Sequence, residues 1–420
     1  MLGLLTFQVT YYVVFFKPKE DTPYPALQRL VTNVDAFLWS RFDISTLTED
    51  LSDWTDSDAV SGFEPVSPLP EVDISPKDFC PLLPPELQGE LFVQFDPEFP
   101  PAYDVIAKAN KHLSFGGRYK PPQCSPRYKL AIIVPYRDRE KQLFWFLSHI
   151  HPILQRQMLE YAIYVVNQAP GALFNRGKLM NVGFAEASKR DRYDCYVFHD
   201  VDLLAENDMC LYHCPEFAEE ARSNPKHLSV SVDKFKYEAL HYELGLCSPV
   251  PYQASEMQVF GGVAIFTEDQ FISVNGFSNS YWGWGAEDDD LFLRTWRKGY
   301  KIDRSHMNEC SFHMLPHDQE TKNPKSPMRY VLLKQSLLRQ NTDGLNSLKY
   351  RLLNKTEGLL YTNITVDIAK PSDKVFELMD LMKEEFGTES QFSCFEALVW
   401  MYNRLPTLEA TKSKDKASGL

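Results

Sequence analysis

Residues 129–139 read Lys-Leu-Ala-Ile-Ile-Val-Pro-Tyr-Arg-Asp-Arg. Leu130 to Val134 is an unbroken apolar run with no polar alternation. That pattern belongs to a strand buried on both faces, in a sheet covered by helices. The run ends at Pro135 and Tyr136, and Arg137 and Arg139 follow at once. In open α/β sheets, ligands bind beyond the carboxyl ends of the strands. Guanidinium forks placed there suit the oxygens of a diphosphate. A loop of solvated charges is the alternative.

The pattern repeats downstream. Glu140–Leu154 carries helical apolar spacing, and Tyr161-Ala-Ile-Tyr-Val-Val is a second strand. Phe174-Asn-Arg-Gly-Lys then leads into a helix from Leu179. Arg176 and Lys178 point at an anion, and the helix N-terminus adds its partial positive charge. Tyr196-Val-Phe is a third strand, running into His199-Asp-Val-Asp. Side chains alternate along a strand, so Asp200 and Asp202 leave its end on one side. Such a pair can bridge a hard divalent cation and a diphosphate. Ser229-Val-Ser-Val-Asp reads as a further strand, and Gly261-Gly-Val-Ala-Ile-Phe as a tight turn entering another. Strands alternating with helices place the chain in the α/β class, with a Rossmann-like sheet.

Residues 281–290 read Tyr-Trp-Gly-Trp-Gly-Ala-Glu-Asp-Asp-Asp. Adjacent carboxylates repel, and a purely structural element gains little from them. Indole faces stack on pyranose rings and carboxylates accept sugar hydroxyls, so the stretch suits a sugar site. Gly283 and Gly285 let the backbone turn sharply and approach a ligand. A solvated acidic turn is the plainer alternative. Further on, His313, Met314 and His317 offer two imidazoles and a thioether.

The chain has 420 residues, 44% of them apolar, and a net charge of −13. That length allows one large domain with appendages, and the charge argues against nucleic acid. The eight cysteines include no Cys-x-x-Cys pair, which disfavours a zinc framework. Asn354-Lys-Thr and Asn363-Ile-Thr are sequons, used only in a secretory lumen. Residues 1–16 are uncharged, and most are apolar or aromatic. They are short for a membrane span, which takes about 20 residues. They read as a short signal anchor or as a buried N-terminal strand. Residues 17–79, rich in Asp, Glu, Ser, Thr and Pro from 43 to 78, read as a largely disordered stem. Residues 369–420 read as a helical extension, with Val375–Met382 amphipathic.

Taken together, Ile133–Arg139, Phe174–Leu179, Asp200–Asp202, Phe260–Val263, Trp282–Asp290 and Asp343–Leu348 resemble the β-1,4-galactosyltransferases. These are animal Golgi enzymes with a GT-A fold. The resemblance spans about Cys80 to Ile368 and implies a single GT-A catalytic domain over residues 80–368. It implies a UDP-sugar donor held by Pro135, Tyr136, Arg137, Arg139, Phe174, Arg176, Asp200, Val201, Val259, Gly262, Trp284 and Glu287. It implies Mn²⁺ on Asp202, Met314 and His317, and Asp288 as general base. A GlcNAc-terminated acceptor would lie on Trp284, Asp288, Asp289, Arg329 and Tyr330. It also implies the disulfides Cys80–Cys124 and Cys195–Cys214, glycans at Asn354 and Asn363, and a type II enzyme of the Golgi membrane facing the lumen.

The resemblance thus implies an inverting transferase that delivers galactose or N-acetylgalactosamine to the acceptor 4-hydroxyl. Val259 stands where vertebrate members carry a tyrosine beside C2 of the donor sugar. Its smaller side chain leaves room for a 2-acetamido group and favours UDP-GalNAc. A strict galactosyltransferase, an enzyme with a xylose or glycolipid acceptor, and an inactive glycan-binding relative are the alternatives. The stretch between Cys214 and Phe260 is longer than the vertebrate pattern.

Overall fold

The computed structural model describes residues 78–91, 96, 99–215, 223–238, 260–304, 309–316, 323–326 and 328–372, with 49, 50, 54, 60, 61, 376 and 380. All of these fall in one compact unit, Leu47–Leu420. Its strands in chain order are β1 (Glu49–Asp50), β2 (Val60–Ser61), β3 (Lys129–Tyr136), β4 (Glu160–Gln168) and β5 (Cys195–His199). They continue as β6 (Leu203–Ala205), β7 (Lys226–His227), β8 (Ser231–Val232), β9 (Val263–Thr267) and β10 (Asp303–Arg304). The last are β11 (Ser311–Met314), β12 (Lys349–Glu357), β13 (Thr362–Asp367) and β14 (Lys370–Pro371). The α-helices are α1 (Tyr103–Ala109), α2 (Glu140–Arg156), α3 (Arg176–Arg190), α4 (Glu268–Ser273), α5 (Glu287–Arg297), α6 (Arg329–Lys334) and α7 (Ser336–Arg339).

The main sheet has nine strands in the order β10-β7-β9-β5-β3-β4-β13-β12-β2. β3 lies inside it, parallel to β4 and β5, with Ile132 opposite both Ile163 and Val197. β9 runs antiparallel to β5, so the sheet is mixed. Both faces of β3 are covered, which explains its unbroken apolar run. Ile132 and Val134 pack towards Phe146, Leu147 and Ile150 of α2. Ala131 and Ile133 pack towards Leu179, Val182 and Phe184 of α3. α3 presses so close that a Cβ on Gly183 would sit 2.3 Å from the Ile133 Cγ2. This is the mixed sheet flanked by helices expected of a GT-A domain.

Two pieces of the acidic N-terminal stretch are taken into the sheets. β1 pairs antiparallel with β14, and β2 pairs antiparallel with β12 and so forms the edge of the nine-stranded sheet. The packed unit therefore includes residues that composition assigned to the stem. Two-residue strands are too short to carry a periodicity, and their acidic surroundings hide them. β14 likewise lies just inside the expected C-terminal extension, most of which is outside the described residues. Among the described residues no helix is long and apolar enough to cross a membrane, and residues 1–16 lie outside them.

Cys80 is bonded to Cys124 and Cys195 to Cys214. A third disulfide, Cys210–Cys310, spans 100 residues of sequence. Cysteine connectivity does not follow from sequence alone, and this bridge was not anticipated.

Candidate active site

The topology brings three chain reversals to one edge of the sheet. β3 ends at Tyr136, α3 begins at Arg176, and β5 ends at His199. Between them opens a cleft of about 300 Å³ lined by Pro135, Arg137, Arg139, Phe174, Arg176, Asp200, Val201 and Asp202. The opposite wall is Gly283–Asp289, and Gly262 and Met314 close the remaining side.

The arginines are held by different means. The Arg137 guanidinium donates to the Ala172 carbonyl at 2.7 Å and lies 5.1 Å from the Phe174 ring centre. Arg176 starts α3, behind the N-cap Asn175, whose side chain accepts from the Lys178 amide. Its Nε donates to Asp200 Oδ1 at 2.6 Å and one Nη to Glu287 Oε1 at 3.4 Å. That fork links the strand-end wall to the acidic wall.

Asp202 and Met314 meet through strand pairing. β6 and β11 are antiparallel with Met314 opposite Leu203, and the Leu315 amide donates to the Asp202 carbonyl at 2.7 Å. Asp233 fixes this corner by accepting from the Met314 amide at 2.9 Å and pairing with His313 Nδ1 at 2.5 Å. A carboxylate and a thioether thus flank one side of the cleft. His317, the third expected ligand, lies outside the described residues, as does Val259.

α5 opens on Glu287, Asp288, Asp289 and Asp290, where the helix N-terminus favours negative charge. The first three line the cleft. Burial, helped by Asp288 and against the pull of Arg176, pushes Glu287 up to about 7. Burial and the neighbouring acids push Asp289 well above its ordinary value. Asp200 rises to about 6 because burial and Asp202 outweigh Arg176. A cleft that crowds carboxylates in this way favours a bound cation and hydroxyl donors.

Three readings need correction. Lys178 does not face the cleft. It is fully buried, and its ammonium donates to Glu49 and to the Ile368 carbonyl. Trp282 is a core residue, so Trp284 alone of the two indoles faces the site. Asp290 is fully buried and turned towards Arg294 and Tyr281. The glycines of the loop serve a neighbour as well as a ligand. A Cβ on Gly283 would lie 2.6 Å from the Pro324 carbonyl, and one on Gly285 would lie 2.9 Å from the Arg329 Cδ.

Tyr136 ends β3 without lining the cleft; Arg329 stands behind the cleft beside Gly285, with its guanidinium 4.4 Å from the Tyr330 ring centre, and neither residue lines the cleft. The cleft also takes in His227, Ser229, Lys234, Phe235, Arg304 and Asn323, which sequence reading missed. β7 runs antiparallel beside β9, and the Ser229 hydroxyl donates to the Gly261 carbonyl at 2.8 Å. The strand read near Ser229 was the available signal, but its neighbour in the sheet was not legible.

Residues 80–215 match the N-terminal region of glycosyl transferase group 7, and residues 246–318 match the N-terminal domain of galactosyltransferase. Human β-1,4-galactosyltransferase 1 is 41% identical over 305 residues, covering 73% of this chain and 71% of the relative. This chain belongs to the β-1,4-galactosyltransferase family. It is a glycosyltransferase. Bovine β-1,4-galactosyltransferase 3 is 43% identical over 290 residues, covering 69% of this chain and 67% of that relative. Among solved structures, the catalytic domain of Drosophila β-1,4-galactosyltransferase 7 with xylobiose is 28% identical. It covers 59% of this chain and 97% of that one at a TM-score of 0.45.

Proposed function

We propose that this family member transfers galactose or N-acetylgalactosamine from its UDP-sugar to the 4-hydroxyl of a terminal GlcNAc, with inversion and with Mn²⁺. The observation that carries the reading is the shared cleft. It holds Asp288 together with Arg137, Arg139 and Arg176 on one side and Asp202 with Met314 on another. A general base, an anion clamp and a cation corner are what this transfer requires.

Arg137, Arg139 and Arg176 hold the diphosphate, with guanidinium geometry suited to its oxygens. Phe174 packs beside Arg137 under the nucleotide. Asp202, Met314 and His317 would hold Mn²⁺, which neutralises the departing UDP when bound. The carboxylate makes a natural hard ligand, and an imidazole suits Mn²⁺ better than Mg²⁺. Asp288 takes the proton from the acceptor 4-hydroxyl as that oxygen attacks the anomeric carbon. One displacement inverts that carbon. The neighbouring carboxylates stabilise the positive charge that develops on the sugar ring. Trp284, 41% exposed, offers its face to the sugar, and Asp289 accepts from acceptor hydroxyls. Arg329 lies behind Gly285 with Tyr330 beside its guanidinium, and the two would receive the N-acetyl group of the acceptor.

Val259 directs the donor choice towards UDP-GalNAc, because valine leaves space at C2 that a tyrosine would fill. The strict galactosyltransferase is the second reading, favoured by the names of the relatives. The three disulfides suit an oxidising lumen, in keeping with a Golgi enzyme anchored by its N-terminal segment.

A screen of UDP-Gal and UDP-GalNAc against GlcNAc- and xylose-terminated acceptors tests the proposal. UDP release should require GlcNAc, stop with a chelator and return better with Mn²⁺ than with Mg²⁺. UDP-GalNAc should serve at least as well as UDP-Gal, and Val259→Tyr should shift preference to UDP-Gal by roughly 10–200-fold. Rejection of UDP-GalNAc by the parent, with no change in Val259→Tyr, would leave the galactosyltransferase reading standing alone.

A further inference from the structure

Lys178 stands two positions after Arg176 on α3, yet the two side chains go opposite ways. Arg176 reaches the cleft, while Lys178 is fully buried beneath it. The Lys178 ammonium donates to Glu49 Oε1 at 2.6 Å and to the Ile368 carbonyl at 2.8 Å, and lies 5.9 Å from the Trp282 ring centre. Among the described residues, Glu49 is the carboxylate that pairs with it. Burying an unpaired ammonium is costly, so this partner decides whether the turn stays as drawn. Burial pushes the Glu49 carboxyl above its ordinary range and the Lys178 ammonium below its own, and the attraction between the two opposes both shifts.

Glu49 comes from a stretch that composition assigns to the stem. Three further contacts seat that stretch on the domain. β1 pairs Glu49 with Pro371 and Asp50 with Lys370. The Arg351 guanidinium lies 5.6 Å from the Trp54 ring centre. β2 sets Val60 opposite Tyr350, and Val60 packs against the core on the α3 side of the sheet. An extended spacer would need none of these.

The first turn of α3 is therefore held at both ends. Its Lys178 amide donates to the Asn175 cap, and its Lys178 ammonium is tied to Glu49. Its Arg176 fork is tied to Asp200 and Glu287. We infer that Glu49 is a positioning residue for the donor site: the described stem residues Glu49, Asp50, Trp54, Val60 and Ser61 are strapped onto the domain, and Glu49 supplies the counter-charge that sets the Arg176 fork. The inference rests on the donor reading proposed above.

Glu49→Gln in the full chain tests it, because the amide keeps the shape and removes the charge. Donor affinity, measured as UDP-sugar binding, should weaken roughly tenfold as the clamp shifts. The KM for the acceptor and the rate at saturating donor should stay within about twofold. A merely structural role would lower the melting temperature and the active fraction without moving donor affinity. The double variant Glu49→Leu with Lys178→Met replaces the ion pair by apolar groups and should recover most of the donor affinity. Hydrogen exchange on the parent should show protected amides in β1 and β2. Unchanged donor affinity in Glu49→Gln, or immediate exchange of both strands, would overturn the strap. A parent protein that binds no UDP-sugar would instead sink the functional reading, and this inference with it.

Discussion

The first turn of α5 has two faces built from the same residue types, and they do opposite things. On the cleft face, Glu287, Asp288 and Asp289 crowd together, with Arg176 reaching Glu287 from across the cleft. On the core face, Asp290 accepts from the Tyr281 hydroxyl at 2.9 Å and from Arg294. Arg294 in turn donates to the Asp343 carbonyl at 2.6 Å, and Asp343 also pairs with Arg339. The core acid is saturated by protein donors. On the cleft face, burial and the neighbouring acids raise Glu287 and Asp289 above their ordinary values. One acid run thus holds a fixed anchor beside the proposed general base. Asp290 is paired within the fold, whereas Glu287, Asp288 and Asp289 line the cleft proposed for the sugars.

The largest expected effect breaks the cleft face alone. Asp288→Asn removes the base without changing shape. Turnover should fall by roughly 10²–10⁴. Calorimetric binding of UDP-sugar should persist, and the melting temperature should stay near that of the parent. Near-normal turnover would remove Asp288 from the mechanism and leave the two faces without the contrast drawn here.

Next comes the core face. Asp290→Ala leaves the Arg294 guanidinium buried without its principal carboxylate. Breaking a buried pair in this way costs about 3–5 kcal/mol. Urea unfolding should show that loss, with activity falling only as far as the folded fraction falls. A variant that stayed as stable as the parent but lost turnover would move Asp290 to the cleft side of the comparison.

The two faces also differ in how far the sequence revealed them. The strand-end wall was legible because β3 and β5 are unbroken apolar runs that end in charged residues. Arg137, Asp200 and Asp202 could be placed from those endings and Arg176 from the helix start after β4, and all line the cleft. Lys178 was not legible in this way. It sits in the same turn as Arg176, and nothing local says that one side chain goes up and the other down. Its partner, Glu49, is 129 residues away. The loop wall was harder still. The Trp284 amide donates to the Pro324 carbonyl, and the Ser326 amide returns a bond to the Trp284 carbonyl. Such contacts across 40 residues leave no periodicity in the chain. Asp288 as base and Met314 beside Asp202 came from the resemblance, since an acid run and an isolated methionine have no unique reading. The third disulfide was hidden for the same reason.

The smallest effect sharpens the contrast through pH. His151 on α2 is fully buried, with Nε2 donating to the Leu360 carbonyl at 2.9 Å and Nδ1 accepting from the Tyr161 hydroxyl at 2.8 Å. Burial pushes its pKa down to about 4, against the pull of the Leu360 carbonyl. The unfolded chain takes up this proton near 6.5, so the folded state binds fewer protons between about 4 and 6.5. The stability His151 contributes is complete above that window and is lost as pH falls through it, at roughly 1.4 kcal/mol per unit. Glu287, raised to about 7, has the opposite sign. Its folded form binds more protons than the unfolded chain, so its share is present at low pH and lost as pH rises towards 7. Core and cleft therefore oppose each other over the same range, and the parent's melting temperature should vary gently between pH 7 and 5. His151→Gln removes the core's share. Its melting temperature should start lower at pH 7 and fall less steeply than the parent's on acidification, or rise. Parallel curves for the two proteins would mean that His151 does not stay neutral in the fold, and the separation of core charge from cleft charge would fail at this residue.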